Sequence, residues 1–288
     1  MKKKPLLPTN DYVFKKIFGE KMFALADFLQ KVLELPVEEY KRLEVIDPNL
    51  LPEDIENKHC VLDIKLYTHS GNAVDIEIQV KYQTNIWKRI QYYTAKLLAE
   101  QLKNKGKYQK IPHVITILIA DFVLIKENET YHHCFRLYDE KAKVRYPDSI
   151  EIDILEITKV PKEDQTDLGN WMHFFAAKEE EEFEMLSQTN PAIAEAWGVI
   201  KHLSADESAR MIAESRDKAL MDIESWVSDA LEEGRQEGRQ EGRQEGEREK
   251  AYMIAKNLLQ EKMPVATVVR LTNLSLEEVK RISAGLSQ

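Results

Sequence analysis

The sequence predicts an α/β fold in which helices flank a mixed β-sheet, followed by an all-helical acidic region and a helical tail. Residues 61–68 and 73–80 alternate between apolar and polar side chains, and the turn segment 69–72 (HSGN) separates them, as is typical of a β-hairpin. Residues 84–105 carry apolar side chains at helical spacing. Residues 113–120 form a continuous apolar run, which indicates a buried strand.

The remaining elements follow in chain order. Apolar residues at helical spacing from Asn10 to Leu33 predict one helix before the hairpin, with Asn10 or Asp11 as its N-cap. Further strands are predicted near residues 131–138 and 150–157. From Trp171 the pattern becomes helical and acidic, and its run of four glutamates is most simply a solvated helix face.

A Gly-Arg-Gln-Glu repeat starts at Gly234, Gly238 and Gly242, with a degraded copy at Gly246. A four-residue period advances about 400° on an α-helix, so each residue type forms a slowly winding stripe. The repeat is therefore either a helix that self-associates along its glycine stripe or a flexible linker. It divides the chain into a domain of residues 1–160, an acidic helical region 161–232, the repeat 233–250 and a C-terminal segment 251–288.

Composition favours a cytoplasmic protein that does not cross a membrane. The basic start MKKK is not followed by the apolar stretch of a signal peptide, and no apolar run approaches the roughly 20 residues of a membrane span. Cys60 and Cys134 have no metal-site spacing, which fits a reducing compartment. The net charge of −9 divides into about +1 for residues 1–160 and about −10 for the remainder, so the first part does not repel DNA as a whole.

The hairpin carries the residues with the clearest chemistry. Asp75, Glu77, Gln79 and Lys81 share one face of the second strand, and Asp63 and Lys65 share one face of the first. If the two polar faces coincide, this patch is costly unless it is solvated, paired or metal-bound. Two carboxylates and a strand carbonyl such as that of Ile78 suit Mg²⁺, with Mn²⁺ as a substitute. An ordinary hairpin with one charged face has the same periodicity, so the pattern alone leaves both readings open.

A resemblance makes the interpretation more specific. Leu62-Asp63-Ile64 and, after a short gap, Val74-Asp75-Ile76-Glu77-Ile78-Gln79 resemble the D…ExQ form of the PD-(D/E)xK active site in the Rpn family of recombination-promoting nucleases and transposases. The segments 9–19 and 89–93, together with Gly106 and Tyr108, resemble the helices before and after that site. Segment 152–159 is similar to a late strand of the family, and the repeat with residues 254–259 is similar to its tail.

The resemblance implies a PD-(D/E)xK domain with Mg²⁺-dependent DNA endonuclease activity, that is, phosphodiester hydrolysis linked to recombination or mobile elements. It implies that Asp63 and Glu77 are metal ligands. Gln79 stands where many such enzymes have lysine, and a neutral amide can orient water but cannot supply positive charge. Lys65, beside Asp63, is the preferred source of that charge, ahead of Lys81. Glu20, at the end of the first helix, is a possible additional ligand.

Two further features concern partners. Arg89, Lys96 and Lys103 recur every seven residues on the long helix, either as a DNA phosphate track or as an ordinary solvated face. Residues 264–282 resemble a helix-turn-helix pair. Because its second helix begins Leu-Glu-Glu, we expect a packing or oligomerisation module rather than a DNA reader, and a homo-oligomer formed through the tail.

Two rival readings remain open at this point. One is a DNA-binding or assembly protein on the same fold whose catalytic site has decayed, with Gln79 as a symptom. The other is a regulatory scaffold that acts through the tail alone.

Overall fold

The computed structural model describes residues 4–46, 64–101, 111–147 and 150–286. The chain divides into two compact units, Met1–Lys218 and Ala219–Gln288. The predicted site residues Asp63 and Lys103 lie outside the described residues, as does Cys60. Within the described ranges, no helix is both long and apolar enough to cross a membrane.

The first unit begins with helices α1 (Asp11–Glu20) and α2 (Met22–Val32). The expected N-cap is confirmed, since the Asn10 side chain accepts hydrogen bonds from two backbone N–H groups of the first turn. The prediction of one continuous helix is wrong, because Lys21 leaves the helical conformation (φ −114°, ψ 84°). The break lets both helices bury their aromatic residues together, with the Phe18 and Phe28 ring centroids 5.4 Å apart, while Phe23 is exposed.

A mixed sheet forms the centre of this unit. The sheet contains β1 (Glu44–Ile46), β2 (Ile64–Tyr67), β3 (Ala73–Gln79), β4 (Val114–Ala120), β5 (His132–Arg136) and β8 (Ile150–Glu156). Strands β6 (Tyr138–Asp139) and β7 (Val144–Arg145) form a separate hairpin. The spatial order is β1-β2-β3-β4-β8-β5. The pairs β3–β4 and β4–β8 are parallel and the others are antiparallel. The predicted hairpin and mixed sheet are therefore confirmed.

Helix α3 (Ile86–Glu100) connects the parallel strands β3 and β4 and covers one face of the sheet. Ile86 and Ile90 share a hydrophobic core with Leu118 of β4, and Leu118 pairs with Glu77 of β3. Side chains alternate between the faces of a strand, so Asp75, Glu77 and Gln79 point to this side, hereafter the α3 face. The end of the predicted helix, beyond residue 101, lies outside the described residues.

The opposite face of the sheet is covered by helices from both ends of the unit. They are α1, α2, α4 (Asp167–Ala176), α5 (Glu180–Ser187) and α6 (Pro191–Ala205). Their apolar side chains form one core with Ile76, Ile117 and Leu155 of the sheet. Helices on either side of residue 160 thus share a single core. The acidic run at the start of α5 is mostly exposed, and Glu179 and Glu182 also form its capping box.

The second unit contains most of the long helix α7 (Glu207–Gln260), followed by α8 (Val265–Thr272) and α9 (Leu276–Gly285). The Gly-Arg-Gln-Glu repeat lies within α7. Asn273 takes the left-handed conformation (φ 59°) that ends α8. Apolar residues from α7, α8 and α9 form a small core, including Ala255, Val268 and Val279. The predicted helix pair is therefore confirmed, with the end of α7 as a third helix.

Candidate active site

The hairpin places a row of polar residues on the α3 face of the sheet. Asp75 and Glu77 are buried, and only 3% of the Glu77 surface is exposed. Gln79, at the end of β3, is half-buried. Lys65 of β2 pairs with Asp75 across the hairpin. The structure therefore brings Lys65, Asp75 and Glu77 together on one face, and the row reaches solvent at Gln79.

Helix α3 directs a cation toward this row. The Arg89 Nε atom lies 4.0 Å from Glu77 Oε2. Its guanidinium lies over the ring of Tyr93 at 5.5 Å from the centroid, and its Nη1 donates a hydrogen bond to Gln83 Oε1 at 3.4 Å. Arg89 was expected on an outer stripe with Lys96, but here it contacts the buried carboxylate directly. Sequence spacing could not show this, because a long arginine side chain can turn toward either neighbouring face of a helix.

Lys65 has a partner that the sequence did not predict. Its ammonium group forms an ion pair with Glu100, at the C-terminal end of α3. Both side chains are largely buried. The two residues lie 35 positions apart, so no local pattern links them. Glu100 therefore neutralises part of the positive charge that Lys65 was expected to supply.

The carboxyl ends of β3 and β4 meet beside Gln79. The backbone N–H of Asp121, directly after β4, donates to the Gln79 carbonyl at 2.9 Å. Burial raises the pKa of the Asp121 carboxyl above its ordinary value. In parallel α/β sheets, ligand-binding residues commonly lie at this edge. The position of Gln79 is therefore suited to contact with a bound molecule.

Glu20 lies elsewhere in the first unit. It ends α1, and its carboxylate pairs with Lys16 at 3.0 Å. The buried side chains of α1 belong to the core on the opposite face of the sheet from Glu77. Glu20 instead borders a surface cavity of about 530 Å³ together with Tyr12 and His202. The structure thus does not bring Glu20 to the polar row on β3.

A second acidic group occupies the opposite face of the sheet. Ligand atoms of Cys134, Glu151 and Asp153 lie within 4.8 Å of one another. Arg136 Nε pairs with Glu151 at 2.6 Å, and His132 Nε2 lies 2.8 Å from Asp153 Oδ1. Burial, with the nearby Glu151 carboxylate, raises the pKa of Asp153. Arg136 and His132 thus pair with the two buried carboxylates of this group, while Cys134 is exposed.

A buried ion pair anchors the chain after β4 to the end of β8. Glu156 Oε1 accepts hydrogen bonds from the backbone N–H groups of Leu124 (2.6 Å) and Ile125 (3.1 Å). Its Oε2 pairs with Lys159 Nζ at 2.9 Å, and both side chains are buried. Lys159 also donates to the backbone carbonyls of Ile125 and Asn128. These contacts give a structural role to the end of the late strand noted in the sequence.

The donors on the α3 face fit a divalent cation. The carboxylates of Asp75 and Glu77 are hard oxygen donors removed from bulk water, and the Ile78 carbonyl belongs to the same strand. Hard oxygen donors are the ligands that Mg²⁺ prefers. Softer metals prefer thiol and imidazole groups. On β5 the Cys134 thiol and the His132 imidazole lie on the other face, whereas His133 points to the α3 face, with its Nε2 3.7 Å from Glu156 Oε2.

The helix pair of the second unit is held by its own polar contacts. Glu278 accepts hydrogen bonds from the Ser275 N–H and hydroxyl, from Arg248 Nη2 at 2.6 Å and from the Tyr252 hydroxyl at 3.1 Å. These bonds, the Ser275 N–H first, lower the pKa of Glu278 to about 2. The Leu-Glu-Glu start of α9 was the reason to expect that this helix does not bind DNA bases. Glu278, one of its two acidic residues, therefore caps α9 and binds Arg248. The other, Glu277, is exposed in the first turn of α9.

Comparison with known families agrees with this architecture. A family model described as PD-(D/E)XK nuclease family transposase matches residues 8–230, which is more than half of the chain. A second model, described as the Rpn/YhgA-like nuclease family C-terminal HTH domain, matches residues 248–284. No curated protein and no solved structure matches the chain significantly. PD-(D/E)XK nucleases generally use divalent metal ions. The resemblance expected from the hairpin motif is thus confirmed, and the chain belongs to the PD-(D/E)XK nuclease family transposases of the Rpn type.

Proposed function

We propose that this chain is a Mg²⁺-dependent DNA endonuclease whose metal ligands are Asp63, Glu77 and the carbonyl of Ile78. One observation carries the proposal: Glu77 is a buried carboxylate on the central hairpin of a chain that matches a nuclease family model. An ionised carboxylate is costly to bury unless a cation or hydrogen bonds compensate it. Arg89 lies 4.0 Å from the Glu77 carboxylate, and a divalent ion bound there would add positive charge beside it.

When bound, the ion would polarise the scissile phosphate and lower the pKa of an attacking water. Mn²⁺ is expected to substitute. The side chains have separate tasks in this proposal. Gln79, at the solvent-facing end of the row, orients the water through its amide group. Arg89 and Lys65 provide positive charge beside the carboxylates, with Arg89 nearer to Glu77 and Lys65 partly neutralised by Glu100.

We further propose that cleavage serves DNA recombination or a mobile element, that the HTH unit adds contact to DNA, and that copies associate through the glycine stripe of α7. The match to a transposase family supports the first point. The match of residues 248–284 to an HTH domain supports the second, against the packing module expected from the Leu-Glu-Glu start of α9. The third is supported by the four repeat glycines, Gly234, Gly238, Gly242 and Gly246, which lie within one helix. Small residues at helical spacing allow two helix backbones to approach closely.

The test is nicking of supercoiled plasmid with Mg²⁺, with Mn²⁺ and with EDTA. We expect Glu77→Gln to abolish divalent-dependent nicking without changing the circular dichroism spectrum, because the amide keeps the size of the side chain and removes its charge. Asp63→Asn should do the same. The matched control is Asp153→Asn, a buried acid of the same sheet on its opposite face. Nicking by Glu77→Gln at the wild-type rate would refute the site assignment.

A decayed site on the same fold is the alternative, and Gln79 in place of lysine is the observation that favours it. Mn²⁺ titration separates the two functions. An active site should bind Mn²⁺ more tightly than the double variant Asp63→Ala, Glu77→Ala. A decayed site should bind it no better than that variant, and the wild-type plasmid should then remain supercoiled.

A further inference from the structure

Arg89 makes an incomplete contact with the Glu77 carboxylate. Its Nε lies 4.0 Å from Glu77 Oε2, whereas a hydrogen bond between such atoms requires about 2.7–3.2 Å. This Nε is buried, and among the described residues it has no hydrogen-bond partner. A buried donor without an acceptor costs free energy. The guanidinium is therefore attracted to Glu77 by charge, while its Nε still lacks an acceptor.

The other end of the guanidinium lies toward solvent. Its Nη1 donates to Oε1 of Gln83, an exposed residue in the loop after β3, and the distance of 3.4 Å is long for a hydrogen bond. The guanidinium also lies over the Tyr93 ring, a contact that depends on charge and not on one hydrogen-bond direction. Arg89, with 20% of its side chain exposed, thus extends from a buried carboxylate to the surface.

Arg89 and a divalent ion would compete for the same carboxylate. A single charge within a few ångströms of a carboxyl group shifts the pKa of that group by about 1–3, and Arg89 opposes the binding of another cation in the same way. A DNA phosphate has the opposite effect, because its oxygens accept the paired hydrogen bonds of a guanidinium. Lys65 is less available to a phosphate, since its ammonium group is already paired with Glu100.

We propose that Arg89 is a phosphate-binding residue that Glu77 holds in the metal-free protein. When a divalent ion occupies the site, the guanidinium turns from Glu77 to an oxygen of the DNA phosphate, so that metal and DNA bind cooperatively through this side chain. The inference rests on the proposed function for the role of Glu77 as a metal ligand. It adds a residue that contacts the substrate and couples substrate binding to metal binding.

Mn²⁺ binding to the full chain without DNA, followed by the EPR signal of free Mn²⁺, tests the first half of the proposal. Arg89→Met removes the charge that opposes a second cation, so we expect it to bind Mn²⁺ about tenfold or more tightly than wild type. Arg89→Lys keeps the charge and should remain close to wild type. The matched control is Arg145→Met, because Arg145 Nη2 also lies 4.0 Å from a buried carboxylate, that of Glu151 on the other face of the sheet. This control should leave the Mn²⁺ affinity unchanged.

Binding of a fluorescent duplex, measured by anisotropy in EDTA and in Ca²⁺, tests the second half. Ca²⁺ takes the same hard oxygen ligands, and gels run after each titration check that the duplex is intact. Wild type should bind the duplex more tightly in Ca²⁺ than in EDTA. Arg89→Met should lose about tenfold or more of this gain, because it lacks a hydrogen bond between charged groups. The ratio of the two affinities cancels any effect of the substitution that does not depend on the ion.

Two results would overturn the proposal. A Mn²⁺ affinity of Arg89→Met equal to or below that of wild type would make Arg89 a fixed support of Glu77, and an unchanged gain in Ca²⁺ would exclude its contact with phosphate. Glu77→Gln separates these failures from failure of the proposed function. If Glu77→Gln binds Mn²⁺ like wild type, Glu77 is not a ligand and both proposals fail. If it loses Mn²⁺ binding while Arg89→Met gains none, the metal site stands and only the role of Arg89 is refuted.

Discussion

Breaking the Glu156–Lys159 pair should destabilise the first unit strongly. Glu156 is fully buried, and Lys159 is nearly so. Replacing Glu156 with Ala removes the acceptor of two backbone N–H groups, those of Leu124 and Ile125. It also leaves the buried Lys159 ammonium group without its carboxylate, and among the described residues two backbone carbonyls remain as its partners. Removing one member of a buried ion pair costs about 3–5 kcal/mol.

Urea unfolding, followed by tryptophan fluorescence, measures this change. With a slope of about 1–3 kcal/mol per molar urea, the midpoint should fall by at least about 1 M. Trp171 is fully buried in the first unit and reports on it. The exposed Lys16–Glu20 pair is the matched control, and Glu20→Gln should shift the midpoint very little because exposed pairs are screened by solvent.

A double-mutant cycle isolates the pair from other effects of the substitutions. Glu156→Gln and Lys159→Met each leave one buried charge without its partner, whereas the double variant leaves neither. The double variant should therefore be less destabilised than the sum of the singles by about 0.5–3 kcal/mol. Additive losses, or an unchanged midpoint in Glu156→Ala, would refute the reasoning.

Three further predictions concern other parts of the chain. Replacing Lys96 and Lys103 of the predicted α3 stripe by Gln, with Arg89 left beside Glu77, should weaken DNA binding and lower the slope of its salt dependence by about one per lost phosphate contact, as measured by anisotropy against salt. An unchanged slope would identify a solvated face. Within the part of the chain that the structure describes, an added Cβ at the four repeat glycines meets no atom of another element within 4 Å, so Ala there should stabilise the helix by up to about 1 kcal/mol per site. Leu at the same four positions should instead separate associated copies of the chain. Identical monomer masses for wild type and the Leu variant in sedimentation would contradict an interface along the glycine stripe. Glu278 should titrate near pH 2 by NMR and higher in Ser275→Ala. Because its pKa is lowered on folding, its contribution to stability is present above its ordinary value near 4.5 and is lost as pH falls toward 2.

Much of the architecture could be predicted because it depends on local patterns. The strict alternation of apolar and polar residues on both sides of a turn predicted the hairpin, in which Lys65 pairs with Asp75. The apolar run of residues 113–120 predicted a buried strand, and β4 is buried along its whole length. The helical spacing of Ile86, Ile90 and Leu97 correctly predicted the buried side of α3. Each pattern lies within one element or two consecutive ones, where side-chain periodicity reports burial directly.

Long-range contacts could not be predicted in this way. The ion pair of Lys65 with Glu100 and the approach of Arg89 to Glu77 depend on how α3 crosses the sheet. The break at Lys21 depends on packing, since the apolar spacing continues through it and only the shared aromatic core favours two helices. Tertiary packing overrides local preference at such positions.

The sequence by itself determined the order of helices and strands, the polar face of β3, the helix-turn-helix pair and, through its motifs, the nuclease family. Only the tertiary structure decided which charges meet: Arg89 turns toward Glu77, Glu100 neutralises Lys65, and Glu20 lies on the helix packed against the other face of the sheet. The physical reason is that periodicity assigns a residue to a face of its own element, whereas a charge contact requires two elements to be placed in space. That placement is set by the summed burial of apolar surface across the whole core, a quantity that no local stretch of sequence contains.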